Sequence, residues 1–165
     1  MLQTPWQKKA HEHQKAFQNL LKKVNQPGGK KMRNDILGKL PDLHEEAFER
    51  IDCLQCAHCC KNYSPRFKQP DIKRIARRLK LKEGELISRY LKLDVDNDFV
   101  TRSSPCPFLN DDNTCKIYDD RPSDCARYPY TNEDVLLDRV QLTLKNTTVC
   151  PITFYVMESI LNKIE

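Results

Sequence analysis

Phe17, Leu20, Leu21 and Val24 recur at i, i+3, i+4 and i+7, the spacing that lines one face of an α-helix. Thr4 followed by Pro5 supplies an N-cap and a proline at the first helical position, and Asn25-Gln26-Pro27-Gly28-Gly29 ends the pattern. The spacing predicts one amphipathic helix over 5–25. A second, short helix is expected after Asp42, a capping residue with Glu45 and Glu46 in the first turn, where carboxylates suit the positive end of the helix dipole. Pro70-Asp71 opens a third, striped by Ile72, Ile75, Ala76 and Leu79, and a fourth starts near Gly84 with Leu86, Ile87, Tyr90 and Leu91 on one side. From Leu93 to Asp124 the pattern fails. Pro105, Pro107, Pro122 and the run Asn110-Asp111-Asp112-Asn113 are turn chemistry, with room for at most short strands such as Lys116-Ile117-Tyr118. Pro151 then starts a C-terminal helix whose Met157, Ile160, Leu161 and Ile164 face inward. The expected fold is mainly α around a loop-rich centre.

Composition narrows the class. Of 165 residues 39% are hydrophobic and 31% charged, with a net charge of +5, so a modest core is expected and general disorder is not. The longest stretch free of charge is the 12 positions from Asn146 to Met157, well short of the roughly 20 apolar residues of a spanning helix. No apolar segment follows the charges of the first nine residues, so no secretory signal is read there and a cytoplasmic chain is expected. The basic stretch Lys30-Lys31-Met32-Arg33 after the first helix suggests a boundary. We expect an N-terminal helical extension over 1–45, able to dock a protein partner, and a second domain over 46–165.

Eight cysteines, Cys53, Cys56, Cys59, Cys60, Cys106, Cys115, Cys125 and Cys150, carry the chemistry. In a reducing compartment clustered thiols bind metal or do redox work more often than they form disulfides. Cys53-x2-Cys56-x2-Cys59 has the spacing at which short loops bring three thiolates to one centre, as in ferredoxin loops. Cys60 complicates it. Adjacent side chains diverge, so Cys59 and Cys60 are expected to point to different places, serving two centres or one polynuclear site. Cys106, Cys115, Cys125 and Cys150 then number the thiols that complete two four-ligand sites. The remote four lack paired knuckles, which suits an iron–sulfur cluster, and Cys150-Pro151 echoes the Cys-Pro that ends the ferredoxin run. Zinc is equally compatible with thiolate ligands.

Beyond Cys53-Leu54-Gln55-Cys56-Ala57-His58-Cys59-Cys60, the chain shows Pro105-Cys106-Pro107-Phe108-Leu109, Thr114-Cys115-Lys116-Ile117-Tyr118 and Arg121-Pro122-Ser123-Asp124-Cys125-Ala126-Arg127-Tyr128-Pro129. In that order they resemble the blocks of the CxxCxxCC family of zinc- or iron-chelating, or Fe–S-cluster-containing, proteins. The resemblance spans about Cys53 to Cys150 and leaves the first 45 residues outside. Ala126-Arg127 departs from it, since arginine usually follows that cysteine directly. The resemblance implies chelation of zinc or iron, including a [4Fe-4S] cluster, through all eight cysteines. Related cysteine clusters occur in flagellin lysine N-methylases, so the alternative is a metal-dependent or redox enzyme that modifies protein.

Other residues add less. His58 lies inside the run and can donate an imidazole, although an exposed loop position explains it as well; His11, His13 and His44 fall on polar helical faces. Arg121 and Arg127 either offset thiolate charge or pair with Asp119, Asp120 and Asp124. Tyr118, Tyr128 and Tyr130 either wall the site or are core. The basic run from Lys73 to Lys82 has no interleaved stacking residues, which argues against nucleic acid. No Ser-His-Asp order, phosphate loop or His-Glu-x-x-His motif is present, so no catalytic residue is assigned.

Overall fold

The computed structural model describes residues 4–163. Along the chain run α1 (Pro5–Glu12), α2 (Gln14–Val24), α3 (Lys30–Arg50), the one-turn helices α4 (Cys53–Cys56) and α5 (His58–Asn62), α6 (Gln69–Arg78) and α7 (Glu83–Tyr90). Strands β1 (Leu91–Leu93) and β2 (Phe99–Thr101) follow, then α8 (Ser123–Arg127), α9 (Val135–Asp138), α10 (Val140–Val149) and α11 (Pro151–Asn162). The fold is mainly α, as expected. No described helix is long and apolar enough to cross a membrane.

The chain divides into two units, residues 4–52 with 129–163 and residues 53–128. The expected division, 1–45 and 46–165, kept the C-terminal helix with the cysteines. In the structure α11 packs on α3 and α10 instead, because its Ile152, Phe154, Val156, Met157 and Ile160 are buried there and no polar loop offers equal apolar area. Leu161 is half-buried, and Ile164 lies outside the described residues.

In the helical unit the predicted 5–25 helix is interrupted at His13, whose ψ of −2° opens the turn between α1 and α2. The stripe itself holds: Phe17, Leu20, Leu21 and Val24 are all buried. The helix expected from Asp42 is instead the continuous α3, which carries Pro41 inside it. A mid-helix proline costs about 3 kcal/mol, and the buried row Ile36, Leu40, Leu43 and Ala47 outweighs it at about 1.5–3 kcal/mol for each large side chain. Asp42 therefore caps nothing. Gly29 closes the turn before α3, where a β-carbon would run into the backbone carbonyls of Lys23 and Val24. α10 had no sequence signal, since it buries Thr143, Asn146 and Thr147. The Thr143 and Thr147 hydroxyls donate to the Leu136 and Leu144 carbonyls, each at 2.7 Å, which makes them compatible with burial.

In the cysteine unit β1 and β2 pair antiparallel, Leu91 opposite Thr101 and Leu93 opposite Phe99, and Phe67 bridges to Phe99. The predicted short strand at 116–118 is not one: Tyr118–Asp120 form a 3-10 turn. Phe67, Ile72, Ile75, Ala76, Leu86, Leu91, Phe108 and Ile117 make the core, and Cys106 and Cys115 pack against it. The apolar stripe read for α6 is thus the face on which the loop-rich segment settles.

Candidate metal centre

The first cysteine group folds as two helical turns joined by a reversal. Ala57, between Cys56 and His58, takes φ 44° and ψ 20°, left-handed values that cost an L-residue about 1–2 kcal/mol. Its N–H donates to the Cys53 carbonyl at 2.8 Å and its carbonyl accepts from Lys61 N at 3.0 Å, so both turns close on this one residue. The expectation that Cys59 and Cys60 diverge is overturned. Their sulfurs lie 3.9 Å apart, because rotation about χ1 brings neighbouring thiols of a helical turn together.

Cys106 is delivered to Cys60 by the backbone, its N–H donating to the Cys60 carbonyl at 2.8 Å. The chain then makes a tight loop. Leu109 N bonds the Cys106 carbonyl at 3.0 Å, Asn110 N bonds the Thr114 carbonyl at 2.8 Å, and Leu109 bridges to Cys115. Asn113 reaches across, its Nδ2 donating to the Leu54 carbonyl at 2.6 Å, which ties the loop before Cys115 to α4. Cys125 arrives on α8. The start of that helix is held by Asp71 of α6, whose carboxylate accepts from Ser123 N at 3.1 Å and Ser123 Oγ at 3.3 Å.

The electrostatics show which thiols gather. Burial pushes Cys125 up to about 12, and charge on Cys60, Cys106 and Cys115 adds to it, while Arg121 opposes. Cys106 is raised by burial and then by Cys60 and Cys115; Cys115 is raised by burial and by Cys60, with Arg121 again opposing. Cys60 is drawn down to about 7 by its hydrogen bond with Cys59, against burial and with help from Lys61. These four thiols, from α5, two loops and α8, feel one another, and a cation relieves that repulsion. The donor chemistry therefore fits a thiophilic metal. Among the described residues no three His, Cys, Asp or Glu side chains stand in a ready metal-holding group, so the thiols are neighbours and not a preformed cage.

The remaining candidates are placed as follows. Cys53 is exposed and Cys56 half-buried on α4. Cys150 is buried as the N-cap of α11, in the helical unit. The His58 imidazole Nδ1 is 3.3 Å from Asn62 Nδ2, whose other bond goes to the His58 carbonyl at 2.9 Å. Arg121 lies 4.0 Å over the Tyr118 ring and its Nη1 donates to the Tyr118 carbonyl at 2.6 Å. Tyr118 is 60% exposed, so it steadies a cation rather than walling the thiols. Asp120 pairs with Arg74 and Arg78, and Asp124 with Arg66 and Lys68. Nor is every histidine solvated, since His44 Nδ1 meets Thr131 Oγ1 at 2.8 Å, and burial lowers its pKa against the opposing charge of Glu45.

Sequence reading missed Asp71 as anything but a helix opener. It is 2% exposed. Burial raises its carboxyl, but the hydrogen bonds from Lys68, Arg74 and Ser123 outweigh that and hold it below the usual carboxylate range. The one legible signal was its place three residues after Lys68, at the start of an amphipathic helix.

Comparison with known proteins adds one finding. The CxxCxxCC family model, described as "Putative zinc- or iron-chelating domain", matches residues 52–151, well over half of the chain and all eight cysteines. No curated protein and no solved structure matches.

Proposed function

The chain belongs to the CxxCxxCC family of metal-chelating domains, and from that premise we propose that it binds zinc or iron in a four-thiolate centre formed by Cys60, Cys106, Cys115 and Cys125. The observation that carries this reading is that Cys106, donating its N–H to the Cys60 carbonyl at 2.8 Å, and Cys115 and Cys125, which come from separate segments, are all raised by charge on Cys60. Four thiolates complete a tetrahedral site for one such metal. Cys59, 3.9 Å from Cys60, stands next to the set and extends it toward Cys53 and Cys56 where a cluster needs more sulfur.

The chain's own part in binding is electrostatic and mechanical. Cys106, Cys115 and Cys125 hold their protons firmly in the metal-free chain, because each is raised above the ordinary thiol value. Loading releases those protons, so affinity rises with pH. Arg121 and Lys61 offset part of the thiolate charge. A bound ion cross-links α5, both loops and α8, and iron in an iron–sulfur cluster adds one-electron redox chemistry.

Metal and inorganic sulfide analysis on protein purified without oxygen tests this, repeated on single Cys→Ser variants. Expected is stoichiometric zinc or iron, with the largest losses at Cys60, Cys106, Cys115 and Cys125. Equal losses at all eight cysteines would move the centre away from this quartet. Iron with equivalent sulfide assigns a cluster, whereas zinc in a colourless protein assigns a structural centre.

A further inference from the structure

Asp71 and Arg74 of α6 reach across to the segment before Cys125. Asp71 Oδ1 accepts from Arg74 Nη2 at 2.9 Å and from Ser123 N at 3.1 Å, and Oδ2 accepts from Lys68 N at 3.0 Å and Ser123 Oγ at 3.3 Å. Four donors on a carboxylate that is 2% exposed leave little freedom to it or to them. Arg74 continues the grip. Its Nη2 donates to the Arg121 carbonyl at 2.8 Å and its Nε to the Asp120 carbonyl at 3.3 Å. Ser123 is the first residue of α8, so carboxylate and guanidinium together hold positions 120, 121 and 123, on the approach to and at the start of the turn that bears Cys125.

From this geometry we infer that Asp71 and Arg74 are positioning residues for the metal centre, setting the angle at which α8 presents the Cys125 sulfur. The inference rests on the proposed ligand role of Cys125. A one-turn helix has no register of its own to hold a ligand still, since short helices are marginal without outside support. Partners one step removed from a metal typically change its affinity by about 10–100-fold when lost.

The test loads Co2+ alone into the full chain and reads the sulfur-to-cobalt charge-transfer band, whose intensity follows the number of thiolate ligands. Four variants are compared: Cys125→Ser, Asp71→Asn, Arg74→Gln and the core control Ile75→Val, which loosens the packing of the same helix while leaving the polar bonds of Asp71 and Arg74 in place. Cys125→Ser is expected to lose about a quarter of the band, one thiolate of four. Asp71→Asn should lose the same, bind Co2+ about tenfold more weakly, and add nothing to Cys125→Ser in the double variant. Ile75→Val should keep the full band. If Asp71→Asn does not fold, Arg74→Gln, altered at a part-exposed side chain, carries the same expectation. A full band in Asp71→Asn and Arg74→Gln beside a reduced one in Cys125→Ser overturns the positioning role while the centre stands. An equal loss in Ile75→Val overturns it too, by reducing Asp71 to general stability. A full band in Cys125→Ser removes that cysteine from the centre and the inference with it.

Discussion

The two units of this chain are built on different principles. Residues 4–52 and 129–163 are long helices whose apolar stripes meet: Phe17, Leu21, Leu40, Leu137, Val156 and Met157 are each at most 1% exposed. Residues 53–128 have a small apolar cluster on α6 and α7, and the rest is tied by single polar contacts such as Asn113 to Leu54 and Asp71 to Ser123. Backbone strain follows the same division. Of the five described non-glycine residues with positive φ, Ala57, Lys80, Asn97 and Asn113 lie in the cysteine unit and only Tyr130 in the helical one. Area stabilises the first unit, while in the second a small apolar cluster supports the segments that bear seven of the eight cysteines.

The largest expected effect breaks the chain along that line. Removing metal with a chelator is expected to lower hydrogen-exchange protection across 53–128, without abolishing its fold, while the interiors of α2, α3 and α11 stay protected. Structural zinc in small peptides supplies apparent binding energy of about 10–16 kcal/mol that is also folding energy. pH sharpens the result. Cys125 is raised to about 12 in the folded chain, so the proton it keeps contributes stability below the ordinary thiol pKa, and that contribution is lost as pH rises through the folded value. The metal-free chain should therefore weaken progressively above the ordinary thiol range. Unchanged exchange in 53–128 after complete metal removal would show that the cysteine unit folds on its apolar cluster alone.

The mirror experiment acts on the helical unit. Phe17→Ala removes a fully buried ring and is expected to cost about 3–5 kcal/mol, read as a lower melting midpoint, with metal content per folded chain unchanged. A parallel fall in metal content would join what the comparison separates. Phe17 also marks what was legible in the sequence. Its stripe, those of α6 and α7, and the start of α11 at Pro151 were readable because burial repeats with the helical period. α10 was not, because its buried positions are threonines and an asparagine whose acceptors are set by the fold. The cap read at Asp42 misled because a local rule lost to the long-range packing of α3. At the site, the residue types and their spacing pointed to metal chelation, but the proposed grouping of Cys60 with Cys106, Cys115 and Cys125 needed three-dimensional knowledge. Cys60, the odd residue in the spacing pattern, is the thiol whose charge raises each of Cys106, Cys115 and Cys125.

The smallest effect sits at Ala57. Its left-handed backbone costs about 1–2 kcal/mol, which glycine would not incur. Against that, glycine adds about 0.5–1 kcal/mol of unfolded-state freedom and gives up a buried methyl, since Ala57 is only 5% exposed, worth about 0.8 kcal/mol. The terms nearly cancel, so Ala57→Gly is expected to change stability by less than about 1 kcal/mol in either direction and to retain metal. Ala57→Val faces the opposite arithmetic. A β-branched side chain at φ 44° is a genuine outlier, and the reversal that lets α4 and α5 close on one residue has no alternative conformation available to it. That variant should lose metal before the helical unit shows any change in melting. Equal behaviour of the glycine and valine variants would mean that the reversal at Ala57 is not what holds the cysteine run in shape, and the contrast between a unit stabilised by area and one stabilised by placement would lose its most local support.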